Sequence, residues 1–296
     1  MSAPTIAPPD WYPDPTEAGG PLRYWDGRQW TAWQSRAGVV TVVPLWFHVS
    51  PAAEPVPDDR APWPGPAAGV VVLSMIGSTI LAVVFAALGS IAGLDSLAAR
   101  LVLSSLGLYI GLIATCSVVQ ERWGTESGFR SDFGLRYEKG DWWRGLLASF
   151  AARAAGVAVM VFLVLFFLRD LDGSSVQQIG EPGEFGDVTL LVFAIVALVG
   201  APLVEELFFR GLLQRSLETV LPAWAAIGLQ GILFGLAHTT VALGTANVLI
   251  VVPVAIAGVG FGYLAHHFKR LGPGIAAHSF FNLVPVLVLT AQVATR

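Results

Sequence analysis

The chain changes character near residue 66, where a polar N-terminal region gives way to a succession of long apolar segments. Seven such segments follow, each close to the roughly 20 residues that an α-helix needs to cross a bilayer. Their approximate limits are 67–93, 97–119, 144–168, 187–208, 222–241, 245–265 and 273–292. This pattern predicts an all-α polytopic membrane protein with about seven transmembrane helices.

The N-terminal region predicts a small β-hairpin module, residues 1–35, in place of a helix. Two aromatic-rich runs flank Asp26-Gly27, a dipeptide that favours a type I′ turn, so we expect a hairpin over Leu22–Thr31. Its expected core consists of four tryptophans: Trp11, Trp25, Trp30 and Trp33. A unit of this size is marginally stable alone, so we expect a protein partner or the bilayer surface to support it. The prolines within 36–66 predict a linker that is semi-rigid where they cluster, and 67–296 form the transmembrane domain.

Composition agrees with a membrane protein and disfavours an ordinary soluble domain. Hydrophobic residues make up 54% of the 296 residues and charged residues only 13%, against about 25% charged in a typical soluble domain. The single cysteine, Cys116, excludes an internal disulfide. The net charge of -4 gives no reason to expect a nucleic-acid partner. We expect a multi-pass protein of the cell membrane, with the lipid bilayer as its surroundings.

Basic residues are distributed unevenly between the loops that the seven segments would place on opposite sides of the membrane. Loops rich in Lys and Arg favour the cytoplasmic side. One side would hold thirteen of them: Arg23, Arg28, Arg36, Arg60, Arg122, Arg130, Arg136, Lys139, Arg144, Arg210, Arg215, Lys269 and Arg270. The other side would hold three: Arg100, Arg169 and Arg296. We therefore expect a cytoplasmic N-terminus and an extracytoplasmic C-terminus.

Three groups of polar residues interrupt the apolar C-terminal half. They are Glu205-Glu206 with Arg210, Phe234 with His238, and His278 with Asn282. Placing an ionisable side chain in hydrocarbon costs roughly 2.5–3.5 kcal/mol on insertion scales, so such residues rarely lie there without a role. Because Glu and His are the side chains that most often activate water and transfer protons, these groups indicate a membrane-embedded hydrolase.

Spacing along the chain predicts that the three groups meet in the cytoplasmic half of the membrane. If the chain turns near Thr219, Glu205 lies about 14 residues before the turn and His238 about 18 after, a depth difference of about 6 Å. This requires the fourth helix to continue past its apolar core. Within that helix Glu206 and Arg210 are four residues apart and can pair, while Glu205 points about 100° away.

In their order and residue types, these motifs resemble those of the CPBP family of CAAX proteases and bacteriocin-processing (Abi) proteins. The resemblance covers about residues 130–290, including Phe133-Gly134-Leu135-Arg136, which is similar to that family's lead-in. The Trp-rich N-terminal segment resembles a short module of unknown function on many actinobacterial membrane proteins. The first resemblance implies an intramembrane metalloendopeptidase that acts on a membrane-embedded or lipidated peptide.

The resemblance also implies a role for each motif residue. Glu205 would be the base that activates water, and His238 would position that water or bind a metal. Glu206 and Arg210 would organise the site, while His278 and Asn282 would stabilise the oxyanion. A second assignment stays open, in which Glu205, His238 and His278 bind Zn2+, since catalytic zinc commonly has three protein ligands.

Two other function classes remain open. The same pocket in a non-catalytic binding or immunity protein would hold a peptide without cleaving it. In a proton-coupled transporter, the buried Glu and His residues would relay protons. No inverted repeat or pair of Gly/Pro-broken helices is evident in the sequence, and this disfavours the transporter.

Overall fold

The computed structural model describes residues 8–14, 20–26, 30–42, 60–61, 63–64, 67–166, 186–239 and 241–295. The chain divides into two compact units, residues 1–57 and 58–296. Each unit is described separately below.

The first unit is a four-stranded antiparallel sheet with strand order β1-β2-β3-β4. Its strands are β1 (Asp10–Pro13), β2 (Leu22–Trp25), β3 (Trp30–Arg36) and β4 (Val39–Val42). The predicted hairpin is present, because β2 pairs with β3 with Trp25 opposite Trp30. Gly27, in its turn, lies outside the described residues.

The sheet is larger than the predicted hairpin, and its core differs from the predicted one. Trp25 is buried and contacts Trp30 with ring centroids 5.3 Å apart, but Trp33 is 49% exposed. The prediction that Trp33 belongs to the core was therefore wrong. The sequence analysis also missed a buried ion pair in which Arg23 Nε lies 2.7 Å from Asp14 Oδ2.

The second unit is helical. Its helices are α1 (Ala67–Ile91), α2 (Leu97–Trp123), α3 (Phe129–Asp132), α4 (Asp141–Phe166), α5 (Asp187–Glu218), α6 (Ala223–Leu236), α7 (Val248–Phe268) and α8 (Gly272–Ala294). Within the described ranges, six of these are long and apolar enough to cross a membrane. The protein is therefore a multi-pass membrane protein.

The fifth apolar segment, predicted as a full span over 222–241, forms the shorter helix α6. Its 14 residues correspond to about 21 Å of helix. α6 packs antiparallel to α7 through small residues: a Cβ on Gly231 would lie 2.9 Å from the Val259 nitrogen, and one on Gly235 2.6 Å from the Val251 oxygen. The close approach of the two backbones needs glycine at these positions.

Helix α5 carries the first polar group and continues well past its apolar part, as the depth argument requires. It spans 32 residues and is widened into π turns over Val196–Gly200 and Leu207–Gln214. Turns of this kind are uncommon and occur often at functional sites. The second π turn begins directly after Glu206.

The loop between α2 and α4 is ordered around a buried carboxylate, that of Asp132. The Gln120 amide and the Thr125 backbone N–H donate to Asp132 Oδ2 at 2.6 and 2.7 Å, and the Thr125 hydroxyl donates to Oδ1. Burial alone would raise the pKa of this carboxyl, but the hydrogen bonds and the charge of Arg215 outweigh burial and lower it.

The end of the predicted linker belongs to the second unit. Arg60, Ala61 and Trp63 are all buried. Trp63 packs on Phe133 and donates to the Gly211 carbonyl, and the Ala61 carbonyl accepts from Arg215. The stretch predicted as a linker, 36–66, therefore includes strand β4 of the first unit and these three residues of the second.

Candidate active site

The centre of the site is an ion pair between Glu206 and Arg210, four residues apart on α5 as predicted. Glu206 Oε1 lies 2.8 Å from Arg210 Nη1, and both side chains are completely buried. Arg210 Nη2 also donates to the Gly258 carbonyl on α7 at 3.1 Å. Since the desolvation of both charges is costly, the pair persists only with such additional hydrogen bonds.

Aromatic rings surround the Arg210 guanidinium and supply the rest of its surroundings. Its Cζ atom lies 4.3 Å from the Phe234 ring centroid, 5.4 Å from that of Phe261 and 5.8 Å from that of Phe209. A cation over the face of an aromatic ring is stabilised by the ring's quadrupole. The guanidinium is thus held by one carboxylate, one carbonyl and three rings.

His278 joins this ion pair from helix α8. Its Nδ1 atom lies 3.1 Å from Glu206 Oε1, and its ring stacks on Phe261 at 5.4 Å. α8 comes this close because of Gly274, where a Cβ would lie 2.8 Å from Glu206 Oε2. A carboxylate can only accept, so Nδ1 carries the proton, and in the neutral imidazole Nε2 is then the acceptor.

Glu205 faces a different environment from that of its neighbour. It lines a cavity of about 270 Å³, and its Oε2 lies 3.9 Å from His278 Nε2. That oxygen is buried and has no hydrogen-bond partner within the part of the chain that the structure describes. A buried acceptor without a partner is costly. Glu206 Oε2 is another among the described residues, but of the two side chains Glu205 is the one that lines the cavity and can bind water or substrate there.

His238 lines the same cavity, so two of the predicted polar groups meet there. Its Nδ1 lies 2.8 Å from the Phe234 carbonyl, and the two rings are 4.9 Å apart, as the four-residue spacing suggests. Because a carbonyl only accepts, Nδ1 donates, and Nε2 of the neutral ring is an acceptor. Glu205 thus shares a cavity with His238 and lies 3.9 Å from His278 Nε2.

Asn282 occupies a different position from the other predicted residues. Its Nδ2 donates to the Ala197 carbonyl on α5 at 2.8 Å, and one turn earlier the Ser279 hydroxyl donates to the Leu198 carbonyl at 2.9 Å. Pro202 lies four residues after Leu198 and five after Ala197, where an α turn or a π turn would supply the donor for these carbonyls. Proline has no N–H to donate. Asn282 and Ser279 thus satisfy the acceptors that Pro202 leaves, and this ties α8 to α5.

The sequence analysis missed the contribution of α1 and α2. The cavity around Glu205 is lined on its far side by five residues of these helices: Met75, Thr79, Ala82, Leu108 and Leu112. Tyr109, also on α2, packs on Gly200 of α5. In the sequence, Tyr109 stands out as the one residue with a polar side chain in the apolar run 106–114, and this was the signal that could have pointed to it.

A second, larger groove lies away from these residues. It has a volume of about 730 Å³ and is lined by residues of α4, α7 and α8. None of the six predicted site residues lines it. The chemistry of the chain is therefore concentrated in the smaller cavity.

The donor set does not form a metal site as the side chains are placed. Among the described residues, no cluster of three or more His, Cys, Asp and Glu side chains could hold a metal ion. The Nδ1 atoms of His238 and His278 are committed to Phe234 and Glu206, and Glu205 Oε2 lies 3.9 Å from His278 Nε2. Zinc binding stays a prediction.

The fold and the site define a polytopic membrane protein with a buried Glu/Arg/His centre. The family model described as type II CAAX prenyl endopeptidase Rce1-like matches residues 187–284, which include all six predicted site residues. The resemblance inferred from the motifs is therefore confirmed for this part of the chain. Residues 9–41 match a family of unknown function, DUF2510. No curated protein and no solved structure matches the chain.

Proposed function

We propose that this protein is an intramembrane endopeptidase that cleaves a membrane-associated peptide, with Glu205 as the base that activates water. The observation that carries the proposal is the unpartnered Glu205 carboxylate, which shares a cavity with His238 and lies 3.9 Å from His278 Nε2. The match to a family named for endopeptidases supports the reaction class.

The chemistry follows from the hydrogen-bonding capacity of these groups. A water molecule between Glu205 and an imidazole Nε2 donates one hydrogen to each, which leaves a lone pair directed at the substrate carbonyl carbon. As the oxygen attacks, its proton passes to Glu205. Collapse of the tetrahedral intermediate breaks the C–N bond, and the proton on Glu205 passes to the leaving amine.

Two residues, Glu206 and Arg210, hold the reacting groups in place, and a third, Asn282, is a hydrogen-bond donor. Glu206 fixes the protonated Nδ1 of His278, so that Nε2 faces Glu205 as an acceptor. Arg210 pairs with Glu206 at 2.8 Å and holds its carboxylate in place. The Asn282 amide has a second N–H besides the one bound to Ala197, and we assign to it the oxyanion role, which requires a donor aimed at the developing charge.

The walls of the cavity indicate the substrate. Apart from Thr79, the residues supplied by α1 and α2 are apolar, so the side chain next to the cleaved bond is expected to be apolar and of moderate size. The peptide is membrane-embedded or lipidated, because the cavity lies between membrane-spanning helices. We place the site in the cytoplasmic half of the cell membrane, with the N-terminus cytoplasmic, on the distribution of Lys and Arg.

Comparison of membrane peptides from cells that produce the wild type or Glu205→Gln tests this function. Glutamine keeps the shape of the side chain but cannot accept the proton, and general-base catalysis contributes roughly 10²–10⁴-fold. We expect a set of cleavage products to disappear in Glu205→Gln. Glu218→Gln, at the end of the same helix where Glu218 pairs with His266 at 3.1 Å, is the matched control and should retain them. Identical products from wild type and Glu205→Gln, at equal protein levels, would refute the proposal.

A further inference from the structure

Trp63 is completely buried, although it lies in the Pro-rich stretch that precedes α1. Its ring packs against Phe133, with centroids 4.9 Å apart, and the Arg215 guanidinium lies 5.2 Å from its centroid. Burial of an indole on this scale removes a large apolar area from water, and its N–H then needs an acceptor. The identity of that acceptor connects Trp63 to the site.

The Trp63 indole N–H donates to the Gly211 carbonyl at 2.7 Å. Gly211 lies in the second π turn of α5 and directly follows Arg210 in the chain. The fit at this point is tight, because a Cβ on Gly211 would lie 3.0 Å from Phe133 Cδ1. A side chain from outside the matched family domain thus holds the backbone of the residue next to the buried Arg.

Arg215 reinforces the same contact, one turn further along α5. Its Nη1 donates to the Gly211 carbonyl at 3.4 Å and also to the Asp132 carbonyl, and its Nη2 donates to the Ala61 carbonyl. The Ala61 N–H in turn donates to the Asp132 carbonyl at 3.3 Å. The segment before α1, the loop after α2 and the π turn are therefore joined by hydrogen bonds at one place.

A continuous series of contacts leads from Trp63 to the reacting groups. Gly211 is bonded to Arg210, Arg210 pairs with Glu206 at 2.8 Å, and Glu206 lies 3.1 Å from His278 Nδ1. A π turn is uncommon and occurs often at functional sites, and here the indole supplies an external donor to one of its carbonyls. We propose that Trp63 is a positioning residue that holds the π turn of α5 in the form that aligns Arg210, Glu206 and His278. Its effect on turnover rests on the proposed function.

Trp63→Phe tests the effect of Trp63 on turnover, because it replaces the indole with a phenyl ring that can still pack on Phe133 but has no N–H to donate. The substrate is a peptide that spans a cleavage site found in the peptidomic comparison. We expect kcat to fall about five- to tenfold, which corresponds to the free energy of one lost hydrogen bond. KM should change less than twofold, since Trp63 is remote from the cavity. The matched control is Trp224→Phe, at a 79% exposed tryptophan on α6, and it should leave both constants unchanged. An unchanged kcat in Trp63→Phe would refute the proposal.

Fluorine NMR tests the same coupling without a substrate. In protein labelled with 5-fluorotryptophan, the resonance missing from Trp63→Phe belongs to Trp63, and the one missing from Trp224→Phe belongs to Trp224. Glu206→Gln should move the Trp63 resonance, because the ion pair beside Gly211 is altered, and leave that of Trp224 in place. A Trp63 resonance that does not respond would refute the coupling. If the Trp63 resonance moves in Glu206→Gln but the wild type shows no proteolysis, the coupling is supported and the proposed function is refuted.

Discussion

The buried ion pair of Glu206 and Arg210 makes a quantitative prediction about folding. Glu206→Leu would leave the Arg210 guanidinium buried with only the Gly258 carbonyl and three rings as partners. Removing one member of a buried pair typically costs about 3–5 kcal/mol, because an uncompensated charge remains. Arg210→Met should cost a similar amount, since Glu206 would then keep only His278.

The double variant Glu206→Leu/Arg210→Met removes both charges and replaces them with apolar side chains of similar volume. Such replacements are often neutral or stabilising. Additive effects would destabilise the double variant by about 6–10 kcal/mol, whereas we expect less than about 2 kcal/mol, which corresponds to a coupling energy of at least about 4 kcal/mol. All three variants should nevertheless lack activity, because His278 loses its orienting carboxylate in the first and the third and Glu206 loses its counter-ion in the second.

The free energy of unfolding of the purified protein in mixed micelles, measured by titration with SDS, provides the assay. Asp95→Leu is the control, because Asp95 and Arg100 form an exposed pair at 3.5 Å, and its effect should stay within about 0.5 kcal/mol. If the free-energy changes of the two single variants add up in the double variant, the two side chains do not stabilise each other. This result would refute the ion pair of Glu206 and Arg210 as the centre of the site.

Three further predictions concern metal, pH and topology. Chelation decides between the two assignments of Glu205, His238 and His278: activity that chelation abolishes and zinc restores would establish the zinc site, whereas full activity in chelator would refute it. The folded state lowers the pKa of Asp132. Its carboxylate therefore stabilises the protein at any pH above the pKa of the unfolded state, about 3.9. This stabilisation is lost as the pH falls through the pKa of the folded state. The difference in Tm between the wild type and Asp132→Asn should therefore shrink below about pH 4, and a difference that is constant from pH 7 to pH 3 would contradict this. If α6 crosses the membrane together with the six long helices, a reporter fused after Arg296 should behave as extracytoplasmic and one at residue 60 as cytoplasmic. Both reporters on one side would mean an even number of crossings and would refute this topology.

Local spacing was sufficient to predict the pairs within single helices. Glu206 with Arg210 and Phe234 with His238 are each four residues apart, and helix geometry alone brings them together. The convergence of α5, α6 and α8 could also be predicted, because bilayer thickness limits the depth at which each motif can lie. Hydrophobic segments of about 20 residues likewise predicted the membrane helices, apart from the length of α6.

The remaining features depend on interactions that the sequence does not announce. The turn between β3 and β4 has positive φ at both Ala37 and Gly38, a conformation for which alanine gives no signal. Trp63 lies among prolines typical of a linker, and its burial depends on an acceptor 148 residues away. The bond between Asn282 and Ala197 results from Pro202, whose effect on carbonyls can be anticipated, although the group that satisfies them cannot.

The adjacent carboxylates Glu205 and Glu206 have the same chemistry, and only their surroundings can give them different roles. Glu206 has a guanidinium and an imidazole N–H on the same oxygen, at 2.8 and 3.1 Å, so its charge is already engaged. Glu205 lines the cavity, and its Oε2 lies 3.9 Å from His278 Nε2, beyond direct hydrogen bonding but close enough to share a water molecule. A base must be able to accept a new proton, and a residue that already neutralises a buried cation would expose that cation by doing so. The structure therefore favours Glu205 as the base and Glu206 as the residue that orients His278.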